Sequence, residues 1–236
     1  MNESDGSGVK SAERALTILE LFSRPGRALT FTQVAELLGY PRSSLHGLLR
    51  TLTDRGWLRL DPGSRRFTLG LRAWQAGAAY RPAVDLERTA RPVVDELQSA
   101  LDGSVHVSVL DDGDAVAVVH TGAHTGRRVG AHSSSSGRVL LAHLDRGQVE
   151  QRVAGRVSQP DELILALERV RDQGFAECDS DAAEGARTLA VPLRDGSGEV
   201  VAALGVTDPP AAKEQTLDAL RAAAERLQLE LVPAPA

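Results

Sequence analysis

TFTQVAELLGYPRSSLHGLLRTLTDRGWLRLDPGSRRFTL, residues 30–69, runs two short amphipathic helices, a tight turn and a β-hairpin together in the order of a winged helix-turn-helix. In the first helix Val34, Ala35, Leu37 and Leu38 give one buried side, Thr30 or Thr32 supplies the N-cap oxygen, and Gly39 closes the helix. Pro41 suits the first turn of the next helix, where its missing N–H would be unpaired in any case. Leu45, Leu48, Leu49 and Leu52 then form a single apolar stripe. The opposite side carries Arg42, Ser43, His46, Gly47 and Arg50, with Ser44 beside them. These are donors or small residues, which a helix lying in a major groove requires because base edges and phosphates are read by hydrogen bonds at close approach. Past Gly56, Trp57 to Leu60 alternates as a strand, Asp61-Pro62-Gly63-Ser64 turns, and Arg65 to Leu69 returns, with Arg65 and Arg66 beside the tip.

Working outward, Ala15 to Phe22 is a helical run stopped by Pro25-Gly26, so residues 9–70 make one winged helix-turn-helix domain. Residues 1–72 carry a net charge of +4 and the remainder −9, within a chain total of −5. An acidic chain is therefore compatible with phosphate binding, which needs a local basic patch. The candidate DNA contacts are Thr32, Arg42, Ser43, Ser44, His46, Gly47, Arg50, Arg65 and Arg66. Arginine makes up 25 of the 27 basic residues, a bias that base composition of the genome explains without reference to function.

At 236 residues the chain has room for a second domain of about 150 residues. The polar start, residues 1–8, reads as a disordered tail without the apolar segment of an export signal. No apolar run approaches the roughly 18–20 residues that span a bilayer, and the single cysteine, Cys178, has no partner for an internal disulfide. These features predict a cytoplasmic protein. Residues 71–82 suit a connecting helix that Pro82 ends or kinks into a further helix bearing Leu86, Val93, Val94 and Leu97. From there to residue 232 strand patterns (105–110, 115–120, 188–193, 200–207) mix with helical ones (136–144, 161–173, 213–231). Turns at Asp111 to Asp114 and Asp195 to Gly198 join neighbouring strands as hairpins, so the second domain is expected to be α+β on an antiparallel sheet.

The whole chain resembles the IclR-type family of bacterial transcriptional regulators. The resemblance rests on Ser11 to Leu16, Pro41 to His46 and Phe67 to Gly70 in the first half. In the second half it rests on His132 with Ser134 to Leu141, Gly174-Phe175, Gly185 to Pro192 and Glu199 to Pro209. It implies a GAF- or profilin-like domain at 83–232 that binds an effector and pairs subunits, together with a linker helix at 71–82 that helps the pairing. The implied assembly is a homodimer or homotetramer on a roughly palindromic double-stranded operator, with repression as the simpler output. Gly47 stands where the family usually has an arginine, which removes a DNA contact and predicts altered operator choice.

The serines preceding the helix at 136 have two readings. Their backbone N–H groups can converge as a seat for a carboxylate or phosphate, or their hydroxyls can merely cap the helix. The resemblance favours the seat, and implies that an effector touches Ser134, Ser135, Ser136, Cys178, Asp179, Thr188, Gly205 and Thr207. Thr188 replaces a common cysteine, and Gly205 and Thr207 stand where serines are frequent, so a relative's effector is not transferable. Seven of the eight Phe, Trp and Tyr residues lie in the first 80 positions and only Phe175 lies beyond. A planar aromatic ligand is usually held between rings, so the expected effector is a small aliphatic polar molecule or carboxylate.

Other readings compete with this one. His120, His124 and His132 with Asp111, Asp112 and Asp114 suggest a metal site, but no metal-ligand spacing accompanies them. The serine run with His132 suggests a hydrolase, but no G-x-S-x-G elbow is present. The winged helix can also serve as a protein-interaction module. The sequence predicts neither cofactor nor metal, and no catalytic residue.

Overall fold

The computed structural model describes residues 9–23, 26–122, 125–180, 186–228 and 230, in two compact units divided after Arg81. The expected tail at 1–8 and the metal candidate His124 lie outside the described residues.

The first unit contains α1 (Lys10–Leu21), β1 (Leu29–Thr30), α2 (Phe31–Leu38), α3 (Arg42–Asp54), β2 (Leu58–Leu60), β3 (Arg66–Leu69) and α4 (Leu71–Ala78). Its core is Ile18 and Phe22 from α1 and its end, Val34 from α2, Leu45, Leu49 and Leu52 from α3, and Leu58 and Phe67 from the wing. Thr30, not Thr32, caps α2: its hydroxyl accepts from the Gln33 N–H, and the Gln33 side chain accepts from the Thr30 N–H in return. Gly39 closes α2 in the left-handed region at φ +63°. Pro41 sits one residue earlier than expected, as the N-cap of α3, so its fixed φ directs the chain into the helix from outside. The wing carries a third strand that the alternation did not predict. β1 pairs antiparallel with β3, Leu29 opposite Phe67, giving the order β1-β3-β2. Two residues are too few to carry a period.

The second unit begins with α5 (Arg81–Leu101). Pro82 lies in its first turn, so it starts the helix instead of ending one. Then come β4 (Ser104–Asp111), β5 (Asp114–His120), β6 (Arg128–Gly130), a 3-10 turn (Ala131–Ser133), α6 (Ser135–Ala142), α7 (Arg146–Val153), α8 (Pro160–Gln173), β7 (Ala176–Ser180), β8 (Ala186–Arg194), β9 (Val200–Thr207) and α9 (Lys213–Gln228). The strands form one antiparallel sheet in the order β6-β5-β4-β9-β8-β7. One core joins the sheet to α5 and α9 through Val94, Val105, Val107, Val119, Leu204, Val206 and Leu220. The other joins it to α6, α7 and α8 through Ala115, Leu141, Val153, Leu167, Ala190 and Ala203. The α+β fold on an antiparallel sheet is the one the sequence predicts; the packing of helices on both faces, and α7, β6 and β7, are added by the structure.

A bulge in β5 positions the site. Val107 faces Val119 and the next residue, Ser108, faces Ala117, which leaves Val118 as an extra residue. A bulge reverses the alternation of side chains. Ala115 and Ala117 before it, and His120 after it, consequently line the same cavity.

Candidate effector cavity and nucleic-acid interface

The cavity lies between the sheet and the start of α6 and has a volume of about 230 Å3. Strand alternation in β4 sends Val105 and Val107 into the α5/α9 core and turns Ser104, His106 and Ser108 to the cavity. β8 and β9 contribute Thr188 and Thr207, the start of α6 contributes Ser134, Ser135 and Ser136, and Arg127 comes from the β5–β6 connection. Seven hydroxyl residues, two imidazoles and a guanidinium line it beside Ala115, Ala117 and Val129, with no carboxylate among the described residues. A wall with that balance solvates an anion or a polar molecule and disfavours a cation.

At the entry to α6 the capping reading of the serines holds for Ser134. Ser134 is the cap, its Oγ accepting from the Gly137 N–H at 3.2 Å and donating to the Gly130 carbonyl at 3.3 Å. Ser135 and Ser136 are buried and line the cavity. Gly137 is required here: a Cβ would lie 2.3 Å from the Ala131 backbone, so only glycine lets α6 meet the 3-10 turn this closely.

The imidazoles form the cavity's most distinctive wall. His106 and His120 stack with centroids 5.8 Å apart and planes 14° from parallel. His106 Nε2 lies 3.0 Å from Ser136 Oγ, and His120 Nδ1 accepts from the Gly122 N–H at 2.9 Å, which assigns the His120 proton to Nε2. Loss of hydration, then the proximity of His120, push the His106 pKa down to about 4; the Ser104 backbone hydrogen bond pulls the other way and Arg127 adds to the depression. His106 is neutral at pH 7.

The expected effector residues do not all converge. Ser134, Ser135, Ser136, Thr188 and Thr207 line the cavity. Gly205 backs it, since a Cβ there would lie 2.6 Å from His106 Nε2 and 2.9 Å from Ser136 Oγ. Cys178 and Asp179 are not among the lining residues. Cys178 pairs with Thr188 across β7 and β8, its carbonyl accepting from the Thr188 hydroxyl at 2.9 Å, and burial pushes its thiol pKa up. Asp179 is exposed. Ser104, His106, Ser108 and Arg127 were not among the candidates; for the first three the only sequence signal is a polar residue at every second position of β4. Phe175 packs against the opposite core, with Lys213 and Arg221 over its ring.

The competing sites take a different form. Asp114 is held by Arg128 and Arg156, and Asp111 by Arg128, while no three potential metal ligands cluster among the described residues. The serine run meets His106, not His132, whose buried Nδ1 is unpartnered.

In the first unit α3 presents Arg42, Ser43, His46, Gly47 and Arg50 outward on the side opposite its buried leucines. Arg42 stacks over Phe31 at 5.5 Å, and Arg50 pairs loosely with Asp54 at 3.6 Å. Ser44 is half-buried and accepts from Arg14 at 3.3 Å, so it joins α3 to α1. Thr32 is exposed on α2. Of the wing arginines, Arg65 is exposed at φ +57°. Arg66 instead donates to the Ala28 carbonyl at 2.8 Å and to Gln33 at 3.3 Å, pinning the wing to the start of α2.

A family model described as the bacterial transcriptional regulator IclR C-terminal domain matches residues 78–229, and the IclR helix-turn-helix domain matches residues 11–62. The chain belongs to the IclR family. It is a helix-turn-helix transcriptional regulator with a C-terminal effector-binding domain, in a family of regulators, not enzymes. Curated IclR relatives include the HTH-type transcriptional regulator XynR of Escherichia coli K12, 28% identical over 84% of this chain and 86% of the relative. The glycerol operon regulatory protein of Streptomyces coelicolor is 30% identical over 84% of both. Among solved structures, an IclR homolog from Microbacterium hydrocarbonoxydans complexed with 4-hydroxybenzoate matches with TM-score 0.79 and 25% identity, covering 94% of this chain and 98% of that one. Pseudomonas aeruginosa HmgR matches with TM-score 0.73 and 25% identity over 95% of this chain and all of that one. No helix among the described residues is long and apolar enough to cross a membrane.

Proposed function

We propose that this IclR-family regulator is a repressor, without enzymatic activity, acting on DNA in the cytoplasm and released or retained by a small carboxylate in the cavity of its second unit. The observation that carries the effector class is the cavity lining: ten hydroxyl, imidazole and guanidinium residues and, among the described residues, no acid, in a volume of about 230 Å3. That volume is small beside the roughly 300 Å3 and upward of pockets for drug-sized ligands, which supports a compact aliphatic acid. The exposed face of α3 supports major-groove reading by Arg42, Ser43, His46 and Arg50, with Arg65 of the wing as a phosphate contact. Leu71 and Trp74, one turn apart on α4 and 69% and 68% exposed, support pairing of subunits into a dimer or tetramer on a palindromic operator. The ligand acts by its differential affinity for the DNA-competent and incompetent populations, so tight binding alone does not define the inducer.

An aromatic acid is a second reading, favoured by two observations. The His106–His120 stack supplies π-faces that a count of Phe, Trp and Tyr overlooks, and a relative carries 4-hydroxybenzoate. Fluorescence anisotropy against the intergenic duplex upstream of the protein's own gene, beside an unrelated duplex at two salt concentrations, tests the regulator. Tight, salt-sensitive preference for the first is expected; equal weak binding to both would favour a protein-interaction role. Adding aliphatic acids and 4-hydroxybenzoate in parallel then separates the two effector classes.

A further inference from the structure

We propose that the His106–His120 pair is the cavity's acid-reading element, and that a carboxylate lodged against the two rings binds together with one proton taken up from solvent by the pair. This rests on the effector-cavity reading and deepens it.

His106 faces groups from β4, β5, α6, β8, β9 and the β5–β6 connection. Its own strand supplies the Ser104 backbone, which accepts a hydrogen bond from the ring, leaving Nε2 for the Ser136 hydroxyl of α6 at 3.0 Å. β5 supplies His120 in a stack, and the β5–β6 connection supplies Arg127. β8 and β9 bring Thr188, Gly205 and Thr207, none of them ionisable at neutral pH. Among the described residues that line this wall every charged or chargeable group is thus cationic or neutral, and each nearby positive charge disfavours a proton on His106. Burial first, then His120 and Arg127, hold His106 unprotonated, and the Gly122 N–H donating to Nδ1 leaves His120 in its neutral form. An anion against the rings reverses that balance: the neutral pair, a ligand carboxylate and one H+ become an imidazolium–carboxylate ion pair, with no bond to carbon made or broken. Rings this close compete for the same charge, so the pair takes one proton and not two.

Gly205 fits this arrangement. A side chain there would displace the His106 ring from Ser136, so the absent Cβ is what lets β4 carry a histidine at this wall.

Titration calorimetry of the full-length protein tests the proposal with lactate, pyruvate and 4-hydroxybenzoate, whose carboxyls are all ionised above pH 5.5, in two buffers of different ionisation heat. The expected result is uptake of up to one proton per ligand. Affinity should fall by up to tenfold per pH unit as pH rises from 5.5 to 7.5, until the pH passes the pKa of the liganded pair. H106Q, which can still meet Ser136 but cannot titrate, should bind with a flat pH profile, and H120Q gives a second variant should the first fold poorly. Binding without proton uptake, or an unchanged pH slope in both variants, would overturn the proposal and leave the cavity reading standing. If none of the three acids binds at any pH, both fall.

Discussion

At the scale of single residues, Gly205 and Gly47 stand in opposite surroundings. At Gly205 the backbone is crowded: a serine Cβ would meet His106 Nε2 at 2.6 Å. G205S is expected to cost about 1–3 kcal/mol by overpacking. H106A should recover part of that loss in a double-mutant cycle read by hydrogen exchange in β4 and β9; additive losses would mean that the two positions are not a matched pair. At Gly47 the surroundings are open, with nothing within 4 Å of a built Cβ. Sterics therefore leave room for the arginine that the family resemblance implies there. G47A should stabilise the first unit by roughly 1 kcal/mol, since glycine is a poor residue in a helix interior. G47R should instead raise DNA affinity and steepen its salt dependence, and an unchanged salt slope would place residue 47 off the DNA.

At the scale of elements, the two wing arginines separate into different roles. Arg66 holds Ala28 and Gln33, whereas Arg65 extends from a left-handed turn position closed by the Asp61 carbonyl and the Ser64–Asp61 hydrogen bonds. R65A should lower the salt slope by about one while leaving the melting temperature of the first unit unchanged; R66A should lower that temperature as well. Tryptophan fluorescence reads this unit alone, because Trp57 and Trp74 both belong to it. The elements that were legible in the sequence are those whose signals are local. The leucine stripe of α3 and the Asp61–Ser64 turn each fit within one helix or hairpin, and the choice between Thr30 and Thr32 as the cap of α2 was settled only by the Thr30–Gln33 hydrogen bonds. β1 and β6, of two and three residues, exist only through their partners β3 and β5. α7 is mostly polar and buries only Val149 and Val153, so no apolar stripe marks it. The cavity's histidine wall was hidden for a related reason. The bulge at Val118 turns His120 inward, against the alternation that Ala115 and Ala117 set, and only the pairing with β4 reveals it.

At the scale of the whole molecule, burial of ionisable groups sets how the two units respond to acid. His106 is pushed down to about 4, and His143 is also lowered, by burial and by its neighbours Arg194 and Arg171. Both histidines in the unfolded chain protonate near 6.5. Above that pH the folded and unfolded states carry the same charge at these sites and the second unit has its full stability. As pH falls below 6.5 the unfolded state takes up protons that the folded state refuses, so stability drops, and the loss from His106 levels off below about 4. For His106 the full cost is between about 3 and 4 kcal/mol, from roughly 1.4 kcal/mol per unit of pKa difference. The first unit holds one histidine, His46, which is exposed on α3. Between pH 7.5 and 5 the second unit should therefore lose stability while the first changes little. The loss will not be visible in tryptophan emission; it should appear as faster hydrogen exchange in β4, β5 and β9. H106Q should flatten that acid response without abolishing it, because His143 still titrates. Acid lability of equal size in both units, or a response unchanged by H106Q, would remove His106 as its origin. A carboxylate that pairs with the imidazoles should act in the opposite sense, protecting the same strands most strongly at the lower pH, where the unliganded unit is weakest.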